Sequence, residues 1–360
     1  MNDHAPVLAP APSRPPTLRD IAGETGFHVT TVSLALRGHT SIPEATREKI
    51  RTVATRLGYA RDSVFCALTR FRQQGRICGP KPGIAYVENF GASSGVRRPA
   101  PLQAMLDGAI RQSRALGYDL ETLAVGEDDH DSRSLSAVLR EKQISGVILG
   151  AFVPGCADTA LNWDELAVAK IHSRHIDPDT TTIGHDPLRD VRLAWRRLRA
   201  LGYARIGLVV GRADEDACGH RHTAGFLMEE ASLPPEERIP PLLYPYRTDE
   251  RALGGLMARW VRRHRLDVLL TNHPDPTRLL SREGLRVPRD VACAGLCVAP
   301  GPARLAGIHP RFDLVGERAV SIVVAKLKSS ERGLPDFPSS IHVQSSWQDG
   351  ASAPGRQARP

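Results

Sequence analysis

The sequence holds no Walker A loop and no G-x-G-x-x-G fingerprint, so no phosphate-cradling or dinucleotide loop is indicated, and no nucleophile–base set is expected. Its six cysteines, Cys66, Cys78, Cys156, Cys218, Cys293 and Cys297, are scattered without a metal-ligand spacing or a paired framework. Reduced thiols and a cytoplasmic location follow as the expectation. The opening run, MNDHAPVLAPAPSRPP, lacks a basic stretch followed by an apolar core, so neither an export signal nor a membrane span is expected there. Residues 1–16 and 351–360 read as disordered tails.

Thirteen histidines invite a metal reading. His220 and His222 lie two apart with Cys218 nearby, but no carboxylate or second histidine is apparent at helical spacing, so no metal and no cofactor are expected. Glu127, Asp128, Asp129 and Asp131 around His130 lack the ligand order and central glycine of a calcium loop; they read as a solvated loop.

Charge is what the chain distributes unevenly. The formal net charge is +8, and the first 81 residues hold 12 of the 48 Lys and Arg against 6 of the 40 acids, which places +6 of the excess in under a quarter of the chain. A polyanion-binding head on a near-neutral body has this balance. Within that head, Thr17 to Tyr59 contains three close helical signals. Thr17 with Asp20 is an acidic capping-box spacing, and Leu18, Ile21, Ala22 and Thr25 share a face until Gly26 stops the helix. Val29 to Arg37 makes a second helix with Val32, Ala35 and Leu36 inward. A third starts near Pro43 and Glu44 and carries Ile50, Val53, Ala54 and Leu57 inward to Gly58. Helix, tight turn, helix and supporting helix is the helix-turn-helix plan. The outward face of the second helix, Val29, Thr30, Thr31, Ser33 and Leu34, has small hydroxyls and short apolar groups with no acid, as suits phosphates and base edges.

Thr17, Asp20, Ala22, Gly26, Thr31-Val32-Ser33, Thr46-Arg47 and Leu57-Gly58-Tyr59 together resemble the DNA-binding head of the lactose-repressor and galactose-repressor family of bacterial regulators. The resemblance implies a homodimer on a double-stranded, pseudo-palindromic DNA operator, with Thr17, His28, Val29, Thr30, Thr31, Ser33, Leu34 and Arg37 at the interface. Val29, Thr30 and Leu34 stand where the family chooses bases. It also makes residues 61–82 a hinge helix and linker that places Leu68 in the minor groove. Arg61-Asp62 and Phe65 depart from the family's usual residues in that hinge.

From Gly83 the pattern becomes strands alternating with helices, a mostly parallel α/β body. Ile84–Val87, Gly146–Leu149, Ile206–Val210 and Val268–Leu270 read as strands; Leu102–Leu116, Val191–Leu201 and Leu253–Val261 read as helices. Ala115-Leu116-Gly117-Tyr118 and Ala200-Leu201-Gly202-Tyr203 are a repeated phrase, which suggests two similar lobes. The resemblance extends here to a two-lobed, periplasmic-binding-protein-like core. The expected boundaries are a head over 17–60, one lobe over 83–185 and 313–336, and a second over 186–312 and 337–350, with Ser340 to Ser346 in the second.

Loops after strands line such clefts, which makes Asn89, Phe90, Asp186, Arg221, His222, Asn272, His273 and Asp275 the candidate effector contacts. In the family an arginine three residues before the Gly-aromatic pair, here Gly225-Phe226, often binds the effector; this chain has His222 there. Two of the family's acids are replaced, at His273 and at Leu296-Cys297. The expected function is a DNA-binding regulator, a repressor, switched by a small polar effector. A carbohydrate is the first expectation and a nucleoside or purine the alternative. A small-molecule binding protein without DNA-linked switching, or an enzyme with an accessory head, are the competing classes.

Overall fold

The computed structural model describes residues 17–36, 41–57, 59, 83–89, 98–125, 132–150, 152, 161–172, 178–246, 248–299 and 304–356. The chain divides into two compact units, Met1–Pro80 and Lys81–Pro360. The expected hinge, Leu68 within it, lies outside the described residues. So do the acidic loop at 127–131, Phe90 and Arg37.

In the first unit, α1 (Leu18–Thr25), α2 (Val29–Leu36) and α3 (Glu44–Arg56) enclose a core of Ile21, Val32, Ala35, Ile50 and Ala54. The Asp20 carboxylate accepts hydrogen bonds from the Thr17 backbone N–H and hydroxyl, both at 2.7 Å, fixing the start of α1. Gly26 at φ 74° ends it, a conformation open to glycine at little cost. The ammonium of Lys49 on α3 lies 5.6 Å over the Phe27 ring, which ties the α1–α2 turn to the third helix.

The second unit is built on two six-stranded sheets. The first has the order β11-β5-β4-β3-β1-β2 and is parallel throughout. Its strands are β1 (Gly83–Glu88), β2 (Asp119–Ala124), β3 (Gly146–Leu149), β4 (Ala167–Ile171), β5 (Thr182–Gly184) and β11 (Ser340–His342). The second has the order β12-β10-β9-β8-β6-β7, parallel except for the edge strand β12. It comprises β6 (Ile206–Gly211), β7 (Leu242–Tyr244), β8 (Val268–Thr271), β9 (Ala292–Gly295), β10 (Ala306–His309) and β12 (Ser346–Gln348). Helices α4 (Ala100–Ala115) and α5 (Ser132–Glu141) link strands of the first sheet; α6 (Pro187–Ala200) joins β5 of the first to β6 of the second; α7 (Arg212–Cys218), α8 (Arg221–Glu230), α9 (Glu250–His264) and α10 (Pro276–Arg282) link strands of the second. The central strands are continuous apolar runs because both faces are covered. On β1, Ile84 and Tyr86 enter one hydrophobic cluster while Ala85 and Val87 enter the opposite one.

After β10 the chain returns to the first lobe as α11 (Phe312–Ser329), whose Val315, Ala319, Val320 and Val323 pack with Met105, Leu106 and Ala109 of α4. The approach is close enough that a Cβ on Gly108 would lie 2.0 Å from the Asp313 carbonyl oxygen, and one on Gly316 1.8 Å from that of Met105. The second lobe repeats the device, since a Cβ on Gly225 of α8 would lie 2.5 Å from the Leu188 carbonyl oxygen of α6.

The C-terminal segment corrects one expectation. Ser340–His342 pairs with β5 of the first sheet, not with the second lobe, and only Ser346–Gln348 joins the second sheet, beside β10. Both strands have three residues and sit at sheet edges, half exposed, so no apolar run announces which sheet each extends.

Replacing Gly316 by alanine should lower stability by about 1–3 kcal/mol or more, because two backbones must separate. A surface change such as Arg114→Ala should leave stability nearly unaltered. Denaturant titration of both variants checks this, and equal midpoints would contradict the close contact.

Candidate nucleic-acid interface and ligand-facing edge

The head presents one face of α2. Val32 and Ala35 are fully buried against Ile21 and Ile50, leaving Thr30 exposed and Val29, Thr31, Ser33 and Leu34 half-buried along the opposite side. His28 is exposed, and its Nδ1 lies 3.3 Å from the Thr30 backbone nitrogen and 3.1 Å from the Thr30 hydroxyl, so the ring caps the first turn of α2. This face offers hydroxyls, an imidazole and two branched apolar groups, a set suited to phosphate oxygens and thymine methyls.

In the body, parallel strands bring their C-terminal ends to one edge of each sheet. On the second sheet β6 leads to Asp214, β7 ends in Tyr244 and β8 leads to Asn272. The Asn272 amide donates to Asp214 Oδ2 at 2.6 Å, and the Tyr244 hydroxyl lies 3.5 Å from Asn272 Oδ1. Burial, with the Asp214 charge beside it, pushes the Tyr244 hydroxyl up to about 12, so it stays protonated and can donate. On the first sheet, β1 ends at Glu88, which is 2% exposed and ion-paired with Arg98, and Asn89 follows.

Between α7 and α8 the chain turns through two successive left-handed residues, Gly219 at φ 64° and His220 at φ 57°. The turn folds the end of one helix onto the start of the next. Glu215, fully buried, meets His222 with 2.7 Å between Oε1 and Nδ1, and accepts from the Thr223 backbone N–H at 3.0 Å. The Cys218 sulfur lies 3.4 Å from the same His222 nitrogen. Burial opposes both charges, yet the bonds among Glu215, His222, Cys218 and Thr223 outweigh it: the carboxyl is held low and the imidazolium high. Next to it Arg221 donates to Asp186 Oδ1 at 2.5 Å, while the same oxygen caps α6 at Leu188 N. Burial raises the Asp186 carboxyl, but Arg221 more than offsets this and its pKa is lowered.

A model of the lacI family of bacterial regulatory proteins matches residues 17–62. GntR of Pseudomonas aeruginosa, a helix-turn-helix transcriptional regulator, is 24% identical over 334 residues, covering 88% of this chain and 90% of that protein. DegA of Bacillus subtilis, another such regulator, is 25% identical over 232 residues, 62% of this chain and 64% of DegA, so the match spans under two-thirds of that relative. Among solved structures, the CelR–cellobiose complex has a TM-score of 0.55 at 18% identity, over 94% of this chain and 99% of that one. The Lac repressor dimer bound to operator and the anti-inducer ONPF has 0.53 at 15%, with the same coverage.

Residues 17–62 are a lacI-family head, and the chain as a whole is similar to regulators of that family. It is a DNA-binding transcriptional regulator with a two-lobed α/β core, and its relatives are named as regulators and not as enzymes. No helix among the described residues is long and apolar enough to cross a membrane.

Against this lacI-family frame the expected effector residues separate. Asp186 and Arg221 are brought together, and Asn272 stands with Asp214 and Tyr244. His222 is turned inward to Glu215. Asp275 caps α10 at Arg278 N and pairs with the Arg278 guanidinium, so its oxygens already serve its own helix. His273 folds back, its Nδ1 accepting from Asp275 N at 3.1 Å. Asp214, Glu215 and Tyr244 were missed. The first two sit just after an apolar strand, a position that marks loop candidates generally. Tyr244 ends a strand too short to announce itself. One string, Gly91-Ala92-Ser93-Ser94-Gly95, spells the G-x-S-x-G of a nucleophile elbow but lies outside the described residues.

The Glu215–His222 pair makes stability pH-dependent. Its histidine contribution is fully present below the ordinary value of 6.5 and is lost as pH rises through about 9. The Glu215 contribution is present above 4.5 and is lost as pH falls through about 2. The stability gap between the parent chain and His222→Gln should therefore be widest, about 1–3 kcal/mol, between pH 4.5 and 6.5, and should narrow toward pH 9. Thermal unfolding across that range, with a chelator present because the same donors suit a metal, measures it; a pH-independent gap would refute the pairing.

Proposed function

We propose that this chain is a cytoplasmic repressor that binds a pseudo-palindromic operator as a homodimer and releases or tightens its grip when a small polar effector occupies the core. The observation that carries the DNA half is the acid-free outer face of α2, held outward by the buried Val32 and Ala35. Thr17, Thr31 and Ser33 act as phosphate contacts, and Val29, Thr30 and Leu34 as base readers, with His28 bracing the helix start. Affinity should fall with salt at a log-log slope of about −0.9 per neutralised phosphate. Valine and leucine favour thymine methyls, so half-sites rich in A·T are expected, and Leu34→Arg should shift preference toward G·C by about 1–3 kcal/mol per base pair. Binding selection on random duplexes tests this, and identical sites for both proteins would remove Leu34 from the reading set.

For the effector, the reading rests on the acid, amide and phenol that meet at Asp214, Asn272 and Tyr244, together with Asp186 and Arg221. Such a set satisfies a molecule offering several hydroxyls, and a carbohydrate is the effector class it suits best. Cellobiose is bound by the structural neighbour CelR, which supports the choice. Asn89, after β1, takes a supporting place, while His273 and Asp275 shape the start of α10 beside the site. In calorimetric screening of sugars and nucleosides, the true effector should bind Asn272→Ala and Asp214→Ala at least about tenfold more weakly, a loss of about 1.4 kcal/mol. It should also change operator affinity. A ligand that binds without changing it has equal affinity for both states and is not the switch.

A further inference from the structure

We infer that Glu215, Cys218 and His222 form a site for one divalent transition metal of the zinc class. The three side chains offer a carboxylate oxygen, a thiol sulfur and an imidazole nitrogen, and these atoms lie within 4.8 Å of one another. The edges of the donor triangle are 2.7 Å for Glu215 Oε1 to His222 Nδ1, 3.4 Å for Cys218 Sγ to that nitrogen, and 3.6 Å for Cys218 Sγ to Glu215 Oε1. Tetrahedral zinc, with bonds of about 2.0–2.3 Å, asks for edges of about 3.3–3.6 Å. Two edges already have that length, and the third opens by about 0.6 Å as coordination replaces the hydrogen bond.

An ion pair alone explains why Glu215 faces His222. The sulfur, 3.5 Å from the Glu215 backbone carbonyl oxygen, converges as well on the same nitrogen and the same carboxylate oxygen, which the ion pair by itself does not require. The backbone is bent to make this happen. Glu215, Cys218 and His222 sit on two different helices, and the corner between them holds a non-glycine residue, His220, at φ 57°, a conformation such residues rarely adopt. His220 itself points away, toward Asp216. The second carboxylate oxygen of Glu215 accepts the Thr223 N–H, which fixes the orientation of the ligand group.

The donor set selects the ion. Calcium and magnesium take oxygen ligands, so a thiol and an imidazole disfavour them; sulfur and nitrogen with one carboxylate suit zinc and its neighbours in the first transition row. Three protein donors leave the fourth position for water or a small molecule. Loading the metal sends the thiol proton and any imidazolium proton to solvent, with no change of oxidation state.

Cobalt(II) titration of the full chain, stripped with chelator and kept reduced, tests the site. One equivalent should bind with a thiolate-to-cobalt charge-transfer band and the d–d bands of tetrahedral cobalt, and zinc should displace it. Cys218→Ser, a change at a half-buried side chain, should abolish the charge-transfer band, while His220→Gln should keep it. The combined Cys66→Ser, Cys78→Ser, Cys156→Ser variant should also keep it. His222→Gln and Glu215→Gln should weaken binding; should either fail to fold, Cys218→Ser decides alone. A charge-transfer band that survives Cys218→Ser, or a full chain that takes up no cobalt, overturns the assignment. The readout involves neither DNA nor a sugar, so it stands apart from the effector reading.

Discussion

The body of this regulator depends on the backbone-to-backbone contact of α4 and α11 at Gly108 and Gly316. Before α11 the chain has passed through five of the six strands of the second sheet, and the docking of α11 on α4 and on β3, β4 and β5 fastens the returning segment to the first lobe. With the helices in place, β11 falls beside β5 and β12 beside β10, so the lobes are laced by three passages of chain: at His185–Asp186, at Pro310–Arg311 and between His342 and Ser346. Rings gather where the first two passages meet. His172 and His185 lie 4.6 Å apart by centroid, and Phe312 sits 5.4 Å from His185 and 6.1 Å from His172. A ligand that favoured one arrangement of lobes joined at three crossings would act at these passages.

What was legible in the sequence was what local chemistry decides. The head's three helices could be placed because Thr17, Gly26 and Pro43 mark their ends and Ile21, Val32 and Ile50 keep helical spacing. The central strands could be placed because two-sided burial leaves an unbroken apolar run. Even the Gly225-Phe226 pair has a local meaning, since Gly225 meets the Leu188 carbonyl oxygen while Phe226 packs edge-on to Trp195 at 5.2 Å. Pairing at sheet edges was not legible. Ser340–His342 and Ser346–Gln348 carry no apolar signature, and their partners are set by where α11 leaves the chain.

The site was partly legible, and for a related reason. Cys218 and His222 stood out, but without a carboxylate they pointed nowhere. Glu215 supplies it, three residues before the cysteine, and only the corner at Gly219 and His220 brings it within reach. A continuous helix would place residues 215, 218 and 222 along one stripe but would not bring the sulfur and carboxylate onto a single imidazole nitrogen. Strain at one non-glycine residue is therefore what converts a spacing into a cluster.

That corner also bears on which effector the core accepts. Where the family often presents an arginine, this chain presents His222, and its Nδ1 faces inward against a buried carboxylate. The neighbouring Arg221 does carry the charge, but spends it on Asp186, the residue that caps α6 just after the chain crosses between lobes. A ligand that competes for Arg221 would uncap nothing, since the Leu188 N–H still has its acceptor, yet it would loosen the tie between α8 and the crossing point. A ligand with an anionic or strongly hydrogen-bonding oxygen would thus act directly on the contact between α8 and the crossing. A purely apolar ligand at Tyr244 would leave the Arg221–Asp186 tie intact.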